Sequence, residues 1–473
     1  MPSMNECIKE CKPLEFFAEI SKIPRGSGYT GAIADYLVDF AEKRGLWHYR
    51  DKANNVIIKK SATAGLESRP TVIIQGHTDM VLEKDSSCTR DLLKEGIVLD
   101  IDGDFLHAVG TTLGADDGIA VAYALSLLDS DDIPHPAIEA VFTSDEEIGL
   151  LGADALDCSY LEGKIMINID SDVEGVFTAG CAGGRRVDIQ LSLTREPVSQ
   201  DKYTLILDGL AGGHSGIEID KGRTNAAKKI ADYLSDIDGI RLVSLSSGIV
   251  DNAIPAAAVA EFICDASVDD ISAVLDKIKG EIPEGAERET VTLIKSGKAD
   301  NAISACDTKK LISLIKALPT GIINMSADIE GQVETSLNLG ILKLDDGKAS
   351  LSFSLRSSKN DKKQSLAEKI EEIATSFGAL VSSHGDYPGW EYKADSALRD
   401  TMCKVYKDMY GKDAEVITIH AGLECGIFSD KISDLDCISM GPDAYDIHTP
   451  DERLSISSAK RVWEYLKEVL KNI

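Results

Sequence analysis

"GTTLGADDGIAVAYALSLL", residues 110–128, lies between the apolar runs "TVIIQG" (71–76) and "AIEAVF" (137–142). The two runs read as buried strands, and the small and apolar residues 118–128 between them predict a helix that packs closely on a sheet. "NVIIKK" (55–60) upstream and "KIMINI" (164–169) downstream extend the series. Strands alternating with helices in this order predict an α/β layer with a largely parallel sheet, whose sites form at the carboxyl ends of the strands. The same texture returns in "LRDTMCKVYKDMYG" (398–411), "EVITIHAG" (415–422), "DLDCISMG" (434–441) and the closing helical stretch 455–473.

The middle of the chain differs. After "CAGGRR" (181–186), "VDIQLSLT" and "KYTLILDGL" alternate every second residue, as half-exposed antiparallel strands do. Helical patterns follow at 224–237 and 269–282, and a second round of helix and strand runs from 309 to 377. The simplest organisation is one α/β domain, 1–186 and 396–473, interrupted by an α+β insert, 187–395. Two or three domains suit 473 residues, since single cores stop growing near roughly 250–300. "GDYPGWEYKADSA" (385–397) has the glycines and proline of a hinge.

A formal charge of −29 argues against nucleic acid or an anionic membrane as partner. No apolar stretch approaches the ~20 residues of a spanning helix, and the first residues lack a signal pattern. The ten cysteines are scattered, with only Cys7 and Cys11 close together, which fits reduced thiols in the cytoplasm.

Segments bearing acids or histidines gather towards the predicted strand ends. In "GHTDMV" (76–81), His77 and Asp79 share a face, so the carboxylate can support the ring. Asp116 and Asp117 occupy a glycine-bounded turn, and Asp170 follows "KIMIN". "SDEEIG" (144–149) sets Asp145, Glu146 and Glu147 side by side, and His448 lies in "AYDIHTPDERLSI" (444–456). Singly, each has a plainer explanation as a helix cap or a turn. Together, two histidines and three carboxylates suit a pair of zinc ions bridged by a carboxylate. One glutamate then binds metal and the other is free to move a proton.

With these segments in view the chain resembles the co-catalytic zinc peptidases that include aminoacylases, carboxypeptidases and dipeptidases, and among them the aminoacyl-histidine (cytosol non-specific) dipeptidases. "GHTDMV", "GTTLGADDG", "DEEIG", "NIDSD", "GGHSG", "GRTNA", "HAGLECGIF" and "DIHTPDERLSI" occur in the family's order. The resemblance implies a dipeptidase with two Zn²⁺ per chain, Co²⁺ or Mn²⁺ serving as substitutes, and leaves a homodimer open. It implies that His77 and Asp170 hold one ion, Glu147 and His448 the other, and that Asp116 bridges them on a cis peptide. Glu146 becomes the general base, with Asp79 supporting His77. His214 of "GGHSG" becomes a lid histidine that binds the substrate carbonyl oxygen. Arg356 becomes the clamp for the substrate carboxylate, and Asn225, Gly422 and Glu424 become pocket residues. The insert is then expected to act as a closing lid. The alternatives are an aminotripeptidase or N-acyl-amino-acid deacylase with the same metal site, or an inactive metal or peptide carrier.

Overall fold

A computed structural model describes residues 8–279, 289–327 and 329–473, with Val72–His77 at the middle of an eight-stranded sheet. The strand order is Trp47–Arg50, Val56–Lys60, Ile138–Thr143, Val72–His77, Ile165–Asn168, Asp436–Ser439, Val176–Cys181, Glu415–Ile419. The four strands from Ile138–Thr143 to Asp436–Ser439 run parallel, and antiparallel pairs flank them. Every residue of Val72–His77 is buried, and the strand opens on the apolar run Val72, Ile73 and Ile74.

The helix Ala115–Asp129 lies directly on that strand. A Cβ on Gly76 would collide with the Ala120 methyl and stand 2.5 Å from Asp117 Oδ2, so the small residues of both elements set their separation. The one aromatic residue on the helix, Tyr123, is buried whole and donates its hydroxyl to Ala459 O at 2.8 Å. The closing helix, Ile456–Asn472, also stacks Trp463 on that ring at 5.8 Å.

The chain divides into two compact units, one of Met1–Cys181, Trp390–Ile419 and Leu423–Ile473, the other of Ala182–Gly389 with His420–Gly422. The second unit is built on a nine-stranded sheet whose pairs are all antiparallel. Helices Ala226–Ser235, Val268–Lys279, Ala305–Ala317 and Asn360–Ser376 share one apolar core with it. The sheet contains strands that the sequence pattern did not single out, notably Thr290–Ile303 and Val333–Asp345. Residues 280–282 of one expected helix, and Cys7, lie outside the described residues. Every described cysteine is a free thiol. Among the described residues no helix is long and apolar enough to cross a membrane.

Candidate metal centre

Three parallel strands end side by side, with His77 opposite Thr143 and Gln75 opposite Asn168. Each is followed by acids. His77 closes its strand, and its Nδ1 lies 3.1 Å from the Asp79 main-chain carbonyl. That carbonyl accepts a hydrogen bond from Nδ1–H, which leaves Nε2 to face the acids. Nε2 stands 2.9 Å from Asp116 Oδ1, 3.7 Å from Asp170 Oδ1 and 3.9 Å from Glu146 Oε2. The Asp79 carboxylate also stands 3.5 Å from Nδ1, close enough to act on the ring's charge. It accepts from Ser27 Oγ at 2.8 Å and from the Glu146 and Glu147 amides at 3.1 and 3.4 Å, which pins the turn carrying the two glutamates.

Asp116 and Asp117 are joined by a cis peptide, as the resemblance implies. The two side chains diverge. Asp117 turns back and accepts the His77 amide at 3.2 Å. Asp116 turns one oxygen towards His77 and the other, Oδ2, to 3.1 Å from His448 Nε2. His448 sits in a left-handed backbone conformation (φ 63°), which histidine and aspartate tolerate better than most residues. Its Nε2 is also 3.1 Å from Glu147 Oε1, yet that buried oxygen has no properly directed hydrogen bond. Two ligand-type atoms at close range that do not point at one another face a common third position.

The donor set therefore fits a pair of cations. His77, Asp116 and Asp170 form one group, Asp116, Glu147 and His448 another, and His77, Glu146 and Glu147 a third that overlaps both, each within 4.8 Å. Ligand atoms about 2.0–2.1 Å from a tetrahedral ion stand roughly 3.3–3.4 Å apart, close to the separations found here. Burial opposes the charged form of Asp116, but the imidazoles of His448 and His77 more than offset it and its pKa is lowered. Burial raises Asp170 to about 6 and lifts Glu146 well above the ordinary carboxylate value, with neighbouring acids adding to both. Asp116 and Glu147 raise His448 to about 10. So many acids in one buried place call for positive charge.

His214, Asn225, Arg356 and Gly422 belong to the other unit. Arg356 is 6% exposed, and its Nη1 donates to Tyr387 Oη at 3.3 Å. A Cβ on Gly422 would lie 2.8 Å from the same tyrosine ring. His214 Nδ1 accepts from the Gly216 and Ile217 amides at 3.1 and 3.2 Å, which fixes the proton on Nε2. Burial, then the Arg356 charge, lowers its pKa, so the ring is neutral with a single N–H to offer. Asn225 caps the helix Ala226–Ser235 and donates to Asn338 and Leu339, while lining a cleft of this unit about 290 Å³ in volume.

Glu424 departs from a pocket residue. It is wholly enclosed and accepts from Gln75 Nε2 at 2.5 Å and Thr143 Oγ1 at 2.6 Å. Gln75 in turn accepts from Asn168 at 2.6 Å, so the chain of bonds ties together the three strand ends that precede the acids. His420 was not singled out in the sequence. It lies 2.7 Å from Ser336 Oγ, and burial followed by the Arg356 charge lowers its pKa to about 3. Only its place in "HAGLECGIF" could have pointed to it.

Residues 73–472 match the peptidase family M20/M25/M40. The cytosol non-specific dipeptidase of Escherichia coli (strain K12) is 36% identical over 471 residues, 97% of each chain. The crystal structure of aminoacylhistidine dipeptidase from Vibrio alginolyticus superposes with a TM-score of 0.92 at 34% identity, covering 98% of this chain and 96% of that one. The aminopeptidase PepT of Bacillus cereus shares the fold at 15% identity, with a TM-score of 0.57 over 98% of both chains. On this evidence the chain belongs to peptidase family M20/M25/M40.

Proposed function

We propose that this protein is a metal-dependent dipeptidase of the cytoplasm that cleaves dipeptides, aminoacyl-histidine substrates among them. One observation carries the reading: the Asp116 carboxylate turns one oxygen to His77 and the other to His448, with Glu146 beside it and committed to neither. Two zinc ions, or Co²⁺ or Mn²⁺ in their place, would be held by His77 and Asp170, by Glu147 and His448, and by Asp116 between them. Such ions supply Lewis acidity, polarising the scissile carbonyl and making water easier to deprotonate.

The remaining steps belong to the chain. Glu146, whose burial raises its affinity for a proton, takes one from the attacking water and returns it to the departing amine. Asp79 holds Glu146 in place through the backbone amide. His214, fixed as a neutral Nε2–H donor, is the candidate hydrogen-bond donor to the carbonyl oxygen as charge develops there. Arg356, buried beside Tyr387 and the neutral His420, is the candidate clamp for the substrate carboxylate. The inserted unit, residues 187–395 in the sequence reading, is proposed to act as a lid.

Full-length protein assayed against dipeptides including Xaa-His, tripeptides and N-acyl amino acids, before and after chelation and with metal restored, tests this reading. Dipeptide cleavage that disappears with chelator and returns with metal is expected. A preference for tripeptides or acyl amino acids would replace the assignment, and no turnover of any substrate with metal restored would defeat it.

A further inference from the structure

The loop that presents Asp116 is gripped from both sides by buried charges that the reaction scheme leaves unused. Glu452, 2% exposed, receives the Leu113 and Gly114 amides on Oε2 at 2.8 and 2.9 Å and the Ala115 amide on Oε1 at 2.8 Å. Arg25, 1% exposed, donates Nη2 to the Gly114 carbonyl at 2.5 Å. Its Nη1 donates to the carbonyls of Thr78 at 3.1 Å and Asp79 at 3.3 Å. Gly114 thus has its N–H on a carboxylate and its C=O on a guanidinium. Its φ of +66° and the closeness of Arg25 Nη2, 2.5 Å from where a Cβ would stand, exclude a side chain there.

The segments tied together are the informative part. The Asp79 carbonyl that Arg25 holds is the same one that orients the His77 ring. Glu452 follows His448 by four residues in the same loop. Arg25 therefore joins the Asp116 loop to the His77 segment, and Glu452 joins it to the His448 segment. A buried charge is costly unless its bonds are complete, and an apolar anchor would have served folding alone.

We propose that Arg25 and Glu452 are positioning residues that fix Asp116 against His77 and His448 and so set the spacing of the two ion positions. The inference rests on the dinuclear reading above. Its test is titration of Co²⁺ into metal-free full-length protein, followed by calorimetry and by the visible spectrum, which reports ligand geometry.

Wild type is expected to bind two ions. Glu452→Gln puts an amide NH2 against a backbone N–H, and Arg25→Met removes all three hydrogen bonds from the guanidinium. Each should weaken at least one position by roughly 10- to 100-fold, the effect usual for groups that support metal ligands, and should shift the Co²⁺ bands. Leu466→Ala, a fully buried change in the closing helix, should lower Tm and leave affinity and spectrum alone. If Glu452→Gln does not fold, Glu452→Asp, which keeps the charge and shortens the reach, carries the same comparison. Two ions bound with wild-type affinity and spectrum in the folded variants would overturn the proposal, as would an equal effect of Leu466→Ala. A wild type that does not bind two ions would instead defeat the dinuclear reading itself.

Discussion

Glu146 and Glu147 are adjacent in sequence and committed differently. Glu147 stands 3.1 Å from His448 Nε2, whereas the nearest imidazole nitrogen to Glu146 is 3.9 Å away, on His77. Glu146→Ala should leave bound metal near the wild-type amount while lowering kcat roughly a hundred- to ten-thousand-fold, the usual contribution of a general base. Glu147→Ala should lose metal from one position as well. Elemental analysis beside the kinetics checks both, and equal metal loss would contradict the division. His420 permits a prediction about pH. Its folded pKa of about 3 lies below the ordinary 6.5, so between those values the unfolded chain binds more protons than the folded one. Stability therefore rises with pH through that window, and acidification towards pH 3 removes it. His420→Gln should flatten the slope by up to about 1.4 kcal/mol per pH unit, measured by urea unfolding between pH 4 and 6.5. An unchanged slope would show that the ring is not held neutral. At this scale the sequence revealed residues whose chemistry is local, such as His-x-Asp, Asp-Asp and Glu-Glu. Arg25 and His420 escaped notice because their partners lie far along the chain, 89 residues away for Arg25 and Gly114 and 84 for His420 and Ser336.

Among the elements, the contact between Val72–His77 and Ala115–Asp129 is the least tolerant of added volume. Ala120→Leu inserts a branched side chain where a Cβ on Gly76 already has no room. The change should cost about 1–3 kcal/mol of stability. It should also weaken metal binding, since Asp117 and the His77 amide meet at that contact. Chemical denaturation with a parallel metal titration measures both, and a stable variant with intact metal binding would show that the packing is looser than described. The central elements were legible because their buried strands are rich in Val, Ile, Ala and Phe. Thr290–Ile303 was not, since it forms the sheet edge with most of its residues exposed and its sequence carries little apolar alternation. Val333–Asp345 was missed for the opposite reason. It is buried along most of its length, but polar Thr335, Ser336 and Asn338 interrupt the pattern because hydrogen-bond partners satisfy them inside.

Across the whole molecule, each unit has its own apolar core. All the candidate ion ligands belong to the unit formed by the two ends of the chain. Calorimetry should accordingly show one unfolding transition that rises when metal is added and one that does not. Each ion at a hundred times its Kd should add about 2.7 kcal/mol to the first. A single transition that moves as a whole would contradict this. The existence of an insert was visible as a change of texture near residue 186. The short return of His420–Gly422 to the inserted unit was not, because three residues leave no compositional trace.

That return makes the chain cross between units at 181/182, 389/390, 419/420 and 422/423. The inserted unit is consequently not a cassette in the genetic sense. Exchanging residues 182–389 for the matching stretch of a relative would set a foreign Ser336 and Arg356 beside a native His420. A faithful exchange must carry residues 420–422 with it, as a second and separate piece.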